Sequence, residues 1–225
     1  QALRETVDQF LEEDGKIVPA FFHSCCGGFS ESGAHVWPEV TEQAVSSSKG
    51  DPYCEACPRY HWELQLNLSE LNDLVSPRLE NRKPIVRIEI ESRNESGRVT
   101  SLVLHTKDHK TLHMAAPKFR EAIGYTRLLS TLFDITQEDS EDSKLWFRGK
   151  GAGHGVGLCQ WGAKGMADAG KSYQEILEFY YPGAQLTGRG DIHGAPGRNP
   201  APNDTGRDES RPYESETEPA KIDFE

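Results

Sequence analysis

Long hydrophobic runs are missing: no apolar stretch among the 225 residues approaches the ~20 that a membrane-spanning helix needs. Positive charge is also scarce. Lysine and arginine number 25 against 36 acidic residues, a formal net charge of −11. No basic block occurs, so a nucleic-acid scaffold is excluded, and an anionic lipid surface would repel the chain. Hydrophobic residues reach 36%, below the ~45–50% of ordinary compact domains on a count that adds Gly and omits Tyr. No initiator Met and no signal peptide open the sequence, and Gln1 to Thr6 already read as helix. A mature chain or a fragment of a longer protein is therefore expected.

The hydrophobic deficit is local. Residues 186–225 hold five residues from the set Leu, Ile, Tyr and Phe, with five Pro, five Gly and nine acidic groups. Such a segment buries too little apolar surface to offset its ordering entropy, so a disordered acidic tail is expected there. Residues 1–185 then form the domain.

Within it, Leu3, Val7, Phe10 and Leu11 share a helical spacing, and Lys16 to Phe22 read as a strand after the Asp14-Gly15 turn. Residues 25–58 are rich in Gly, Ser and Cys without periodicity and read as a long structured loop. Trp62, Leu64, Leu66 and Leu68 alternate with polar residues, as do Val86, Ile88 and Ile90. Strands with turns at Asn94–Gly97 and Lys107–Lys110 give an antiparallel meander. Ser69 is taken as the cap of a short helix, Pro117 as the start of another, and Ser172-Tyr173-Gln174-Glu175 as a capping box. The class is α+β, with strands in the middle and helices flanking them.

Two segments carry chemistry. Gly149 to Ala163 holds six glycines before a helix start, with His154 in the loop and Gln160 at the first turn. Close backbone approach to a ligand is one reading; a tight helix–sheet turn is the other. No Gly-Lys-Ser/Thr follows, which excludes a phosphate-binding loop. The second segment is the cysteine loop. Cys54-x-x-Cys57 has chelating spacing, and His23, Cys25 and Cys26 lie upstream. The set His23, Cys26, Cys54 and Cys57 is the candidate for a structural zinc. Disulfides or free thiols are the alternatives, and the odd count of five leaves one cysteine over.

Together these segments carry a resemblance. Phe22-His23-Ser24-x-Cys26-Gly27-Gly28-x-Ser30-Glu31, then Val36-Trp37, is similar to the "YHS-x-x-GG-x-T/S-E…VW" element of the SpoIID/LytB family. Gly149 to Ala163 resembles that family's "G-x-G-x-GHGVGMSQ-x-GA" signature, with Leu158 and Cys159 in place of Met and Ser. The match spans about residues 2–183. It implies peptidoglycan glycan strands as substrate, cut between MurNAc and GlcNAc by a lytic transglycosylase to leave a 1,6-anhydro end. A protonated Glu donates to the leaving oxygen, and the substrate's own C6 hydroxyl attacks. The family's acid Glu sits in an "E-M-P" context that this sequence lacks, so its place is expected upstream of residue 1. The resemblance leaves His154, Gln160, Ser30 and Glu31 as candidate glycan contacts. A non-catalytic wall-binding or amidase-enhancing module is the alternative, with wall amidases as partners. Either role implies an extracytoplasmic place in the cell envelope.

Overall fold

The computed structural model describes residues 6, 8–79, 82–138 and 143–188. The chain divides into a unit Gln1–Ile192 and a unit His193–Glu225; the second lies wholly outside the described residues, as does the rest of the expected tail from 189 on. The first unit is α+β, with several antiparallel sheets and few helices.

Its central part is built from two three-stranded sheets. Strands β4 (His61–Asn67), β8 (Phe133–Gln137) and β9 (Lys144–Lys150) run antiparallel in the order β4-β9-β8. Strands β5 (Ile85–Arg93), β6 (Val99–Thr106) and β7 (Thr111–Ala115) form the expected meander. Alternation puts Leu102 and Leu104 of β6, and Leu145 and Phe147 of β9, wholly inside. Helices α2 (Leu68–Val75) and α3 (Ala116–Ile123) cover this core with Leu71, Val75, Phe119 and Ile123. The α2 cap is Asn67, whose side chain accepts from Glu70 N, rather than Ser69; the Ser69 hydroxyl instead donates to Asn67. The helix begins at Leu68, so Ser69 already lies in its first turn and Asn67 holds the cap position. Helix α3 has proline in its first turn and stops at Gly124, whose φ of 100° suits glycine.

A second core gathers the cysteine loop and the C-terminal helices α4 (Gln160–Asp168) and α5 (Tyr173–Tyr180). Ser172 and Glu175 form the capping box that the sequence announces. The short strands β3 (Phe22–His23) and β10 (Leu158–Cys159) pair in parallel, and Glu31 and Val156 form a further parallel bridge. At the N-terminal end the helical spacing is misleading. Gln9–Glu13 is strand β1, paired with β2 (Lys16–Ile17) and with β11 (Gln185–Gly188). Residues 186–188 of the expected tail thus belong to a sheet. Residues 18–21 lie outside any strand, so the expected Lys16–Phe22 strand is two short pieces.

Phe147 packs between Phe119 and Phe133, with ring centroids 5.9 and 5.7 Å away. Phe147→Ala opens a cavity where the two sheets and α3 meet. It should lower unfolding free energy by about 3–5 kcal/mol, read from urea titration.

Candidate functional site

The Gly-rich segment and the cysteine loop are zipped together by main-chain bonds. Cys25 and Ala152 exchange two, at 3.0 and 2.8 Å, and Glu31 N donates to Gly155 O at 2.9 Å. Gly155 is pressed against the guanidinium of Arg98: a Cβ there would meet Nη2 at 2.4 Å, and its φ is +89°. Arg98 in turn donates to the carbonyls of Phe29 and Cys26 at 3.1 and 2.9 Å. The β5–β6 turn is thereby locked to the cysteine loop.

Two features result. The first is a buried donor group made by Cys26, Asp51, Cys54 and Cys159, whose ligand atoms all lie within 4.8 Å of one another. Cys26 Sγ lies 3.3 Å from Cys54 Sγ and 3.2 Å from Asp51 Oδ2. All five cysteines are free thiols. The Cys159 sulfur accepts the main-chain N–H of Cys26 and of Gly162, both at 3.3 Å. Proton sharing with Cys159 and Cys54, together with burial, pushes the thiols of Cys25 and Cys26 up. Bonds from Cys159, Cys25 and Cys26 pull Cys54 down. A divalent cation held among these thiols would draw off their protons. Three sulfurs and one carboxylate oxygen, buried and converging, could hold a metal. A tetrahedron with ~2.3 Å metal–sulfur bonds has sulfur–sulfur edges of about 3.8 Å, a span this group accommodates. Gly162 makes the approach of α4 possible, since a Cβ would strike Tyr180 Oη and Asp51 Oδ2.

The second feature is a cavity of about 510 Å³ bounded by Glu31, His35 and Trp37, the β5–β6 hairpin, Arg120, Tyr125 and His154. Glu31 is 2% exposed. Its Oε1 accepts from Ser32 N at 2.7 Å and from His35 Nδ1 at 2.9 Å; its Oε2 accepts from Asn94 at 2.6 Å and Ser96 at 2.7 Å. Burial opposes its charge, but the bonds from His35, Ser96 and Asn94 and the charge of Arg98 outweigh it. The carboxyl is held below the usual carboxylate range. A larger and more open groove of about 1030 Å³ is lined by Tyr60, Trp62, Arg93 and Arg148. Its arginines are already paired, Arg93 with Asp134 and Arg148 with Glu63, so the smaller cavity is the better candidate for a charged or polar ligand.

The structure sorts the candidate residues. Glu31 and His154 line the cavity. His154 Nδ1 accepts from Val156 N at 3.1 Å and its ring donates to the Phe22 carbonyl. Burial pushes its pKa down, so it is a neutral wall. Ser30 instead staples its own loop through Lys49, and Gln160 is exposed at the start of α4; neither lines the cavity. Of the candidate metal ligands, Cys26 and Cys54 fall in the donor group, whereas His23 and Cys57 lie outside it. His23 Nδ1 bonds the Val156 carbonyl at 3.0 Å, its Nε2 has no partner, and burial pushes the imidazole down to about 3. Cys57 accepts from Arg59 N. Asp51 and Cys159 take their places. Cys159 is visible as a thiol at a helix start; nothing near Asp51 in sequence marks it as a ligand. His35, Arg98 and Arg120 were also absent from the sequence candidates. Trp37 stacks on Phe21 at 4.4 Å, leaving only part of its surface to the cavity.

A family model described as a domain of unknown function (DUF8618) matches residues 39–157, just over half of the sequence. The chain belongs to that family. It is 31% identical over 186 residues to an uncharacterised protein of Brachyspira hyodysenteriae, covering 83% of this chain and 48% of that protein. It is 26% identical to the amidase enhancer of Bacillus subtilis (83% of this chain, 32% of that protein). Identity is 25% to the stage II sporulation protein D of Bacillus amyloliquefaciens (83% and 50%). These relatives place the chain among SpoIID/LytB-like proteins. The chain spans a third to a half of the length of these relatives.

The Glu31 network predicts an acid sensitivity. Stability from a carboxyl with a depressed folded pKa is present above the ordinary carboxylate pKa and is lost as pH falls through the folded value. Glu31→Gln should therefore lose about 1–3 kcal/mol at neutral pH. Its stability should fall less steeply than that of the wild type as the solution is acidified, read from urea midpoints across that range.

Proposed function

We propose that the cavity holds a peptidoglycan glycan strand and that the chain takes part in glycan-strand processing in the cell envelope, outside the cytoplasm. The reaction class is lytic transglycosylase-type cleavage between MurNAc and GlcNAc. The observation that carries this reading is the cavity itself: a polar, partly aromatic pocket formed where the two family-like segments cross. Its walls offer hydrogen-bonding groups for hydroxyls and the half-exposed ring of Tyr125 for a sugar face. Relatives named stage II sporulation protein D and amidase enhancer support a cell-wall role.

Glu31 favours a second reading beside the first. It is the one carboxylate among the described lining residues, and every oxygen direction is taken by a donor within the protein. An ionised, saturated carboxylate does not serve as proton donor. The described residues therefore supply binding, and cleavage needs an acid from elsewhere. Without one, the chain acts as a wall-binding module that assists an amidase.

For the donor group we propose a structural zinc held by Cys26, Asp51, Cys54 and Cys159. A closed set of three thiolates and one carboxylate suits zinc. It would tie the cysteine loop to α4 with no position left for substrate.

Denuded glycan strands should sediment with the chain, and Tyr125→Ala should weaken that binding about tenfold. Mass spectrometry of the digest separates the readings: 1,6-anhydro ends mark the transglycosylase, and binding without them marks the module. Absence of binding sinks both. Protein purified without chelator should carry about one zinc per chain by elemental analysis. Cys54→Ser should lose it and melt at a lower temperature.

A further inference from the structure

Cys26 and Cys54 lie 28 residues apart in the chain, and their sulfurs lie 3.3 Å apart in space. Both side chains are fully buried, and both are free thiols. A disulfide holds its sulfurs about 2.05 Å apart, so a closing movement of about 1.2 Å joins them. The backbone around the pair is already fixed. Cys26 N donates to Cys159 Sγ at 3.3 Å, Arg98 holds the Cys26 carbonyl at 2.9 Å, and Asp51 N donates to the Gly28 carbonyl at 2.9 Å. The fold, not a cross-link, keeps the two thiols together. The open groove of about 1030 Å³ has Gly27 and Gly28 in its lining. These residues directly follow Cys26, so the groove brings small solutes to the chain beside the pair.

We propose that Cys26 and Cys54 form a redox-active dithiol, which a peroxide converts to a disulfide. The pairing stands on the thiol geometry alone; the loss of metal that accompanies it rests on the zinc reading above. One sulfur attacks a peroxide oxygen. The O–O bond breaks, the sulfur becomes a sulfenic acid, and the other oxygen takes a proton and leaves as water. The second sulfur then attacks the first. An S–S bond forms, the S–O bond breaks, and the second oxygen leaves as water. The two sulfurs lose two electrons, and the peroxide is reduced to two waters. Where the sulfurs start as zinc thiolates, the two protons come from solvent and the ion leaves, because Asp51 and Cys159 alone supply two of its four ligands. The disulfide closes the loop between residues 26 and 54, while the metal tie from that loop to α4 is given up. Asp51 keeps its bonds to Tyr53 N and Tyr180 Oη, both at 2.9 Å. The chain runs on from Cys26 through Glu31 to helix α1 (Gly33–Val36), so exchanging one staple for the other also acts on a wall of the cavity.

The test is titration of the full chain with hydrogen peroxide, then alkylation of the remaining thiols, digestion with trypsin and mass spectrometry without reductant. Cleavage after Lys16, Lys49 and Arg59 separates residues 17–49, which hold Cys25 and Cys26, from residues 50–59, which hold Cys54 and Cys57. About one equivalent of peroxide should remove two of the five thiols and join these two peptides, and dithiothreitol should restore both thiols. Fragmentation of the joined peptides should place the bond at Cys26 and Cys54. The link should survive in the double variant Cys25→Ser/Cys57→Ser, whose changes lie outside the donor group, and Cys26→Ser should abolish it. Zinc, read with a chromogenic chelator, should be released at about one ion per link. A bond placed at any other pair, or thiols lost as sulfinic acid with the peptides unjoined, overturns the dithiol. A zinc-bearing chain that forms no link overturns it too and leaves the zinc reading standing. A link in a chain that carried no zinc sinks the zinc reading and leaves the dithiol standing. Zinc retained by the linked chain overturns the coupling between the two.

Discussion

The site depends on one run of main-chain hydrogen bonds, those joining residues 22–31 to residues 152–159. Every functional feature lies on one side of that seam or the other. Cys26 and Cys159 come within reach because β3 and β10 are in register. Glu31 reaches the cavity wall because Gly155 holds its amide. Arg98 then fills the space that a side chain at residue 155 would occupy. A backbone this close to a guanidinium leaves glycine as the only fit, so the glycines of this segment are explained by packing before any ligand is considered.

The seam also separates two chemistries by a few residues. Cys26 looks toward Asp51, Cys54 and Cys159 in a buried setting, whereas Glu31, five positions on, organises an open one. Arg98 touches both through the Cys26 carbonyl and the charge it lends Glu31. A cation in the thiol group and a ligand in the cavity would act on the same short stretch of chain from opposite sides. Loss of the first would therefore be felt in the second through the geometry of residues 26–31.

What could be read from the sequence follows from how local each signal is. The β5–β6–β7 meander, α3 and the capped α5 are specified by alternation, proline, glycine and a capping box within a dozen residues, and they are where the sequence puts them. Strand β1 is a different case: its partner β11 is more than 170 residues away, and short helical spacing masked it. Strand β9 was hidden because Gly149 and Lys150 read as the start of the glycine-rich segment, although Leu145 and Phe147 alternate correctly. In the site, the two motifs were visible but not their neighbours. Asp51 becomes a donor, and His35, Arg98 and Arg120 become a basic rim, only through contacts between distant segments.

The spacing of the thiol group has a consequence for how the protein is made. Cys26 and Cys159 are separated by 133 residues, so most of the chain must be synthesised before the fourth donor exists. Until then Cys25, Cys26, Cys54 and Cys57 are thiols on an unfinished chain, two pairs at short range that can cross-link before their partner arrives. Closing so long a loop is also slow, since its contacts reward the chain only once distant segments have met. The distance between two cysteines thus sets how late in synthesis the thiol group can close.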